Sequence, residues 1–161
     1  MTRYAEVKHS EWIHAPVDTV RSQFADLEHH IQTNVHPKLR FELLSREPRR
    51  ARFVQEVRLL GLRQRDVFER RIADDGSICD VSVEGFNRGG SLGFAFAPER
   101  GGTRVDIVIR LPMPGPMFLL RRLLEAQIRR EVRAAALEDK RDIEVRGYTA
   151  RGDAAGLKLA A

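Results

Sequence analysis

Between Leu39 and Leu111 the chain repeats one device: short runs of alternating apolar and polar residues, cut by turn residues. A period of two gives each strand one apolar and one polar face, so such a succession calls for an antiparallel sheet with one face to bury. Leu39-Arg40-Phe41-Glu42-Leu43 alternates, and Glu47-Pro48-Arg49-Arg50 turns the chain. Ala51, Phe53, Gln55, Val57 and Leu59 then share one face, while Arg52, Val54, Glu56 and Arg58 share the other. Gly61 ends that strand and Leu62 to Ile72 supplies the next. Asp74-Asp75-Gly76-Ser77 reads as a hairpin turn, because Asp-Gly accepts the positive dihedrals such turns need. Ile78 to Phe86, the turn Asn87-Arg88-Gly89-Gly90, the set Leu92, Phe94 and Phe96, a turn from Pro98 to Gly102, and the run Val105, Ile107, Ile109 and Leu111 complete the meander.

What flanks the meander decides how its apolar face is covered. Ala5 to Ile13 reads as a first strand, broken by His14-Ala15-Pro16-Val17-Asp18. Val17, Val20, Phe24 and Leu27 then recur at helical spacing, and a second short helix is predicted over Leu27 to Val35, stopped by Pro37. After Met113-Pro114-Gly115-Pro116 a long helix is predicted from about Pro116 to about Val145. Its stripe is Leu120, Leu124, Ile128, Val132 and Ala135, with arginines over the remainder. An amphipathic helix laid on the apolar face of a sheet is an economical cover. Where the sheet curves away from it, the gap is either filled by bulky side chains or left as a ligand cavity.

The opening Trp12-Ile13-His14-Ala15-Pro16 into Val17-Asp18-Thr19-Val20, followed by Phe24-Ala25-Asp26-Leu27-Glu28-His29-His30, resembles the START/Bet v 1-like superfamily over residues 4–145. The resemblance includes its bacterial polyketide cyclase/dehydrase-like and coenzyme Q-binding-like members. It implies an α+β helix-grip fold: a curved antiparallel sheet of about seven strands wrapped around a long C-terminal helix, with two short helices after strand 1. Residues 1–146 are expected to form one domain and 147–161 a flexible tail, whose last residues Leu157 to Ala161 look vector-derived.

Composition narrows the partners. Of 161 residues, 28 are Lys or Arg and 23 Asp or Glu, and the resulting +5 could attract anions without identifying any. Arginines at 49, 50, 52, 63, 65, 70 and 71 would form a basic stripe on adjacent strands. Interspersed Glu56, Asp66 and Glu69 and the scarcity of exposed aromatics argue instead for ion pairs and against nucleic acid. A single cysteine, Cys79, excludes an internal disulfide, and no apolar run reaches the roughly 20 residues of a membrane span. A cytoplasmic protein is the expectation, and nothing in the pattern fixes an oligomeric state.

The leading expectation is a binding module for a hydrophobic or amphipathic small molecule: a polyketide, quinone, isoprenoid or lipid-like species. Alternation and the helix stripe place Phe41, Phe53, Gln55, Val57, Phe94, Phe96, Ile107, Leu120 and Leu124 on the pocket wall. Met113, Met117 and Phe118 are read as a gate, or as a plug at one end of the core, and with Arg121-Arg122 they leave peripheral membrane contact open. An alternative is a cyclase- or dehydratase-like enzyme using a buried acid or histidine in the same cavity. A third is a core filled by Phe86, Phe94, Phe96 and Phe118. No catalytic residue and no cofactor is assigned. Asp66, Asp80 and Glu84 are expected to pair with Arg52, Arg65 and Arg104 on the solvent face. His29, His30 and His36, near Asp26 and Glu28, have metal-ligating side chains. Ring-hydroxylating oxygenases carry a two-His-one-carboxylate iron site on a related fold, but this spacing departs from theirs and no iron–sulfur domain is attached. The three histidines are therefore expected to be exposed polar positions, without a metal.

Overall fold

The computed structural model describes residues 2–59 and 61–150. The chain runs β1 (Arg3–Ile13), α1 (Val17–Ala25), α2 (Leu27–Thr33), β2 (Arg40–Glu47), β3 (Arg50–Leu59), β4 (Leu62–Ile72), β5 (Ile78–Gly85), β6 (Ser91–Glu99), β7 (Gly102–Met113), a 3-10 turn (Gly115–Leu120) and α3 (Arg121–Glu144). The strands form one antiparallel sheet in the order β1-β7-β6-β5-β4-β3-β2, with β1 and β2 at its edges. Every neighbour except the β1–β7 pair is a hairpin partner, which follows from the close spacing of the turn residues.

The apolar face is covered unevenly, and that positions the site. Val7, Val105 and Ile107 pack with Leu124, Ile128, Val132 and Ala136 of α3 and with Val20 and Phe24 of α1. A second, smaller cluster joins Leu27 of α2 to Phe53 and Phe68 on β3 and β4, flanked by Phe41 and Leu43. Phe53 and Phe68 are register partners with stacked rings 5.6 Å apart. Register shifts at Leu43/Ser45 and Val67/Phe68 add the twist that bulges bring to this half of the sheet. The core is thus two clusters, and both contribute walls to one space between them.

The helix boundaries differ from expectation in two places. Asn34 adopts a left-handed conformation (φ 50°) and closes α2 just after Thr33. The α-helical part of the C-terminal element starts at Arg121, because Gly115–Leu120 forms a tighter 3-10 turn after Pro114. That shift rotates Leu120 off the apolar stripe, and it is 53% exposed. Packing also continues past residue 146: Gly147 turns the chain (φ 68°), and Tyr148 is buried with its ring 4.8 Å from that of His29. The tail residues 151–161, with the vector-like Leu157 to Ala161, lie outside the described residues. No helix among the described residues is long and apolar enough to cross a membrane.

Candidate functional site

A partly enclosed cavity of about 200 Å³ lies between α3 and strands β2 to β7. Phe41, Phe53, Gln55, Val57, Phe94 and Ile107 line it, as alternation predicts. Phe96, Leu120 and Leu124 do not. Phe96 packs edge-on against Phe24, Leu124 is buried in the main core, and Leu120 faces outward. The three gate candidates also lie off the wall. Met113 is buried at the end of β7, Met117 packs partly against the core, and the Phe118 ring has the guanidinium carbons of Arg3 and Arg121 at 4.5 and 5.6 Å from its centroid. The aromatic-filled core does not form: Phe86 is 51% exposed and the space remains open.

Two polar walls face this apolar space, and both correct an expectation. On β4 and β5, Asp66 and Asp80 point inward rather than to solvent. Arg70, also buried, grips Asp80 with two hydrogen bonds of 2.8 and 2.7 Å and donates a third, of 2.9 Å, to the Phe24 carbonyl. Asp66 accepts from Ser82 Oγ at 3.0 Å, from the Asn87 backbone N–H at 2.6 Å and from Asn87 Nδ2 at 2.8 Å. Asn87 Nδ2 also donates to Gln64 Oε1 at 2.9 Å. Burial is tolerable for these carboxylates only because each is met by several donors. Of the solvent-face pairs expected, Arg52–Glu84 forms, whereas Arg104 turns to Glu99 and Asp106, and Arg65 to Glu56.

The other wall is built by α2 and the last turns of α3. His30 and His36 are buried, each 7% exposed, and His29 is half-buried, so the reading of all three as surface positions fails. The reason is the acidic run Glu138, Asp139 and Asp142 on α3, which lies against α2 and supplies partners. His30 Nε2 is 3.1 Å and His36 Nε2 3.4 Å from the same oxygen, Asp139 Oδ1. Gln23 Nε2 donates to that oxygen at 3.0 Å and to Asp142 Oδ2 at 3.1 Å. His36 Nδ1 is 2.8 Å from Glu138 Oε2, and His30 Nδ1 is 2.7 Å from the Asp26 carbonyl. His29 stands apart, its Nε2 2.7 Å from Asp142. Asp26, grouped with the histidines in the sequence, instead caps α2 by accepting the His29 backbone N–H at 3.0 Å, and its other oxygen accepts from Tyr148.

The electrostatics follow from that geometry. Burial is the largest single influence on the His36 imidazole and opposes its charge. Asp139 and then Glu138 together outweigh it, and the pKa is pushed up to about 9. Burial likewise works against the Asp139 anion, but His36 and His30 hold its carboxyl far below the usual range. Cys79 lies exposed on β5, where partial desolvation and then Asp80 push its thiol up and disfavour a reactive thiolate.

No protein-family model matches the sequence, and no curated protein matches it. Solved structures do match. A protein from Thermus thermophilus superposes with a TM-score of 0.78 at 23% identity, covering 89% of this chain and 99% of that one. The Zhui aromatase/cyclase from Streptomyces sp. R1128 gives 0.73 at 17% identity, covering 91% of this chain and 100% of that one. A START superfamily protein from Mycobacterium smegmatis gives 0.63 at 20% identity, covering 83% and 94%. The chain has the helix-grip fold of START/Bet v 1-like proteins. At these identities the likeness is one of fold.

Proposed function

We propose that this protein binds a compact, mostly apolar small molecule carrying hydrogen-bonding groups, held between the sheet and α3. One observation carries the reading: a cavity of about 200 Å³ whose wall is largely aromatic and aliphatic, with polar groups gathered at two places. Sites of this composition suit small organic ligands, the apolar wall supplying affinity and the few polar groups fixing orientation. A dry apolar cavity of about 150 Å³ accepts a benzene ring, so this volume suits a molecule of one or two rings. A ring-bearing polyketide or a quinone headgroup fits that space better than an extended acyl chain. Gln64, Asn87 and Ser91 offer one polar end, and His30, His36 and Lys38 the other.

Native mass spectrometry of the purified protein, with solvent extraction of any adduct, tests the reading first. Titration with 1-naphthol, a two-ring phenol, supplies a defined probe. The expected result is a stoichiometric adduct or a saturable naphthol isotherm. A bare mass together with no naphthol binding removes the proposal.

A second reading, an enzyme that cyclises or dehydrates such a molecule, is favoured by His30, His36 and Asp139 on the cavity wall. An imidazole and a buried carboxylate facing the ligand could exchange protons with it. The name aromatase/cyclase borne by one structural neighbour supports this reading by analogy of fold alone. Turnover of a ring-closing substrate separates it from simple binding.

A further inference from the structure

We propose that His30, His36 and Asp139 form a binding site for one divalent transition-metal ion of the zinc class, opening on the cavity. His30 and His36, six residues apart on α2 and the loop after it, meet Asp139 from the C-terminal third of α3. All three are buried, all three line the cavity, and one ligand atom from each lies within 4.8 Å of the others.

The hydrogen bonds at the far side of each ring set the tautomers. A backbone carbonyl only accepts, so His30 Nδ1 carries hydrogen and donates to Asp26 O at 2.7 Å. The Glu138 carboxylate only accepts, so His36 Nδ1 carries hydrogen and donates to it at 2.8 Å. In a neutral imidazole, each Nε2 is then a lone pair, and both lone pairs face Asp139 Oδ1. Gln23 Nε2 also lies 3.5 Å from His30 Nε2, a long contact beside two shorter ones. The two hydrogens of its amide go to Asp139 at 3.0 Å and Asp142 at 3.1 Å. Two lone pairs and an anionic oxygen directed at one place need a positive centre among them: a proton on His36 Nε2 supplies it in the metal-free protein, and a metal ion would displace that proton.

Two of the three separations among the ligand atoms match those around a metal, and the third is within 4.8 Å. Zinc binds imidazole nitrogen and carboxylate oxygen at about 2.0–2.2 Å, so adjacent ligand atoms in tetrahedral or octahedral arrangements stand roughly 3.0–3.5 Å apart. His30 Nε2 and His36 Nε2 are 3.1 and 3.4 Å from Asp139 Oδ1. The supporting contacts are of the right kind too: ligating histidines commonly donate their other ring N–H to a carbonyl or carboxylate, as His30 and His36 do here. Three protein ligands leave further coordination positions for water or for a polar group of a bound molecule. Two imidazoles and one carboxylate suit zinc, iron(II) or cobalt(II) better than magnesium or calcium.

The test needs no organic ligand, so its outcome is separable from that of the binding proposal. The full chain is dialysed against a chelator and titrated with Co²⁺, followed by calorimetry and visible absorption. One Co²⁺ per chain is expected. His36→Gln and Asp139→Asn each weaken uptake at least tenfold, and Glu138→Gln weakens it about 10- to 100-fold by releasing the His36 ring. His29→Gln leaves uptake unchanged. Proton NMR of the Co²⁺-loaded wild type is expected to show two exchangeable, paramagnetically shifted ring N–H signals, a readout independent of how the variants fold. Failure of the folded wild type to take up Co²⁺, uptake unaltered in a folded His36→Gln, or absence of the shifted signals would overturn the proposal.

Discussion

Arg70 and Asp80 face each other across β4 and β5 as register partners and meet through two parallel hydrogen bonds, both side chains buried at the cavity wall. The guanidinium lies 5.4 Å from the Phe53 ring, so one pair ties both strands to the smaller aromatic cluster. Removing one member of a buried pair leaves the other charge without compensation, at a cost of about 3–5 kcal/mol. Asp80→Leu is expected to lower the unfolding free energy by that amount. The double variant Arg70→Met with Asp80→Leu should lose much less than the sum of the single losses. Urea denaturation of the three variants measures this, and additive losses would mean that the pair is not coupled.

Ala135 lies on the cavity wall, on the face that α3 turns to the sheet. Ala135→Phe puts a ring into space that is already open, so it should occlude the cavity without overpacking the core. The expected outcome is a loss of 1-naphthol affinity of at least tenfold, with the thermal midpoint kept or raised. Leu120→Ala is the matched control. Leu120 is exposed and off the wall, and its removal should leave affinity unchanged. Equal losses in both variants would place the ligand elsewhere.

The sheet was legible because alternation and Asp-Gly or Gly-Gly turns are local signals, and Phe53, Gln55 and Val57 reached the cavity on that signal alone. The inward turn of Asp66 and Asp80 was harder to read, since a carboxylate on an alternating strand satisfies either face and its partners decide which. The histidine wall lay beyond local reach, because each imidazole finds its carboxylate more than 100 residues away. One signal was nevertheless present. Asp139 and Asp142 continue the spacing of Ile128, Val132 and Ala136 along α3, and acids on the extension of a buried stripe must meet cations or donors. Leu120 failed for the opposite reason: it fits the stripe only if the α-helix begins before Arg121, and Pro114-Gly115-Pro116 delays that start.

The histidine wall makes the metal-free protein sensitive to alkali. The folded-state pKa of His36 is raised to about 9 from 6.5, so its contribution is complete below pH 6.5 and is lost as pH rises through 9. Asp139 has the opposite sign. Its folded pKa is depressed, so its contribution is present above the ordinary carboxylate pKa near 3.8 and is lost as pH falls below it. Between about pH 4 and 6.5 both contributions coexist. Chelator-treated protein should therefore be most stable in that window and should lose on the order of 3 kcal/mol between pH 6.5 and 9.5. His36→Gln is expected to flatten the alkaline limb and to shrink the acid limb as well, because His36 is the largest influence that lowers the Asp139 pKa. Urea titrations across pH provide the check, and an unchanged alkaline limb in the variant would assign the loss to another group.

Gly85 sets the opposite wall. Its φ of +114° is outside the range that side-chain-bearing residues adopt readily, and a Cβ there would lie 2.3 Å from the Arg65 carbonyl and 2.8 Å from Asp66 Oδ1. The close approach lets the chain turn back so that Asn87 can donate to both Asp66 and Gln64. Gly85→Ala must push the end of β5 away from β4, adding about 1–3 kcal/mol of backbone strain. Each polar group left unpaired in the cavity wall costs about 1–3 kcal/mol more. Asn87→Ala removes the side-chain bonds but introduces no strain, so it should destabilise less than Gly85→Ala. Chemical denaturation orders the two. Amide exchange at Asn87 shows whether its N–H still rests on Asp66, and faster exchange in Gly85→Ala than in Asn87→Ala is the expected result. If the two variants exchange and unfold alike, the side-chain bonds rather than the glycine hold this wall in place.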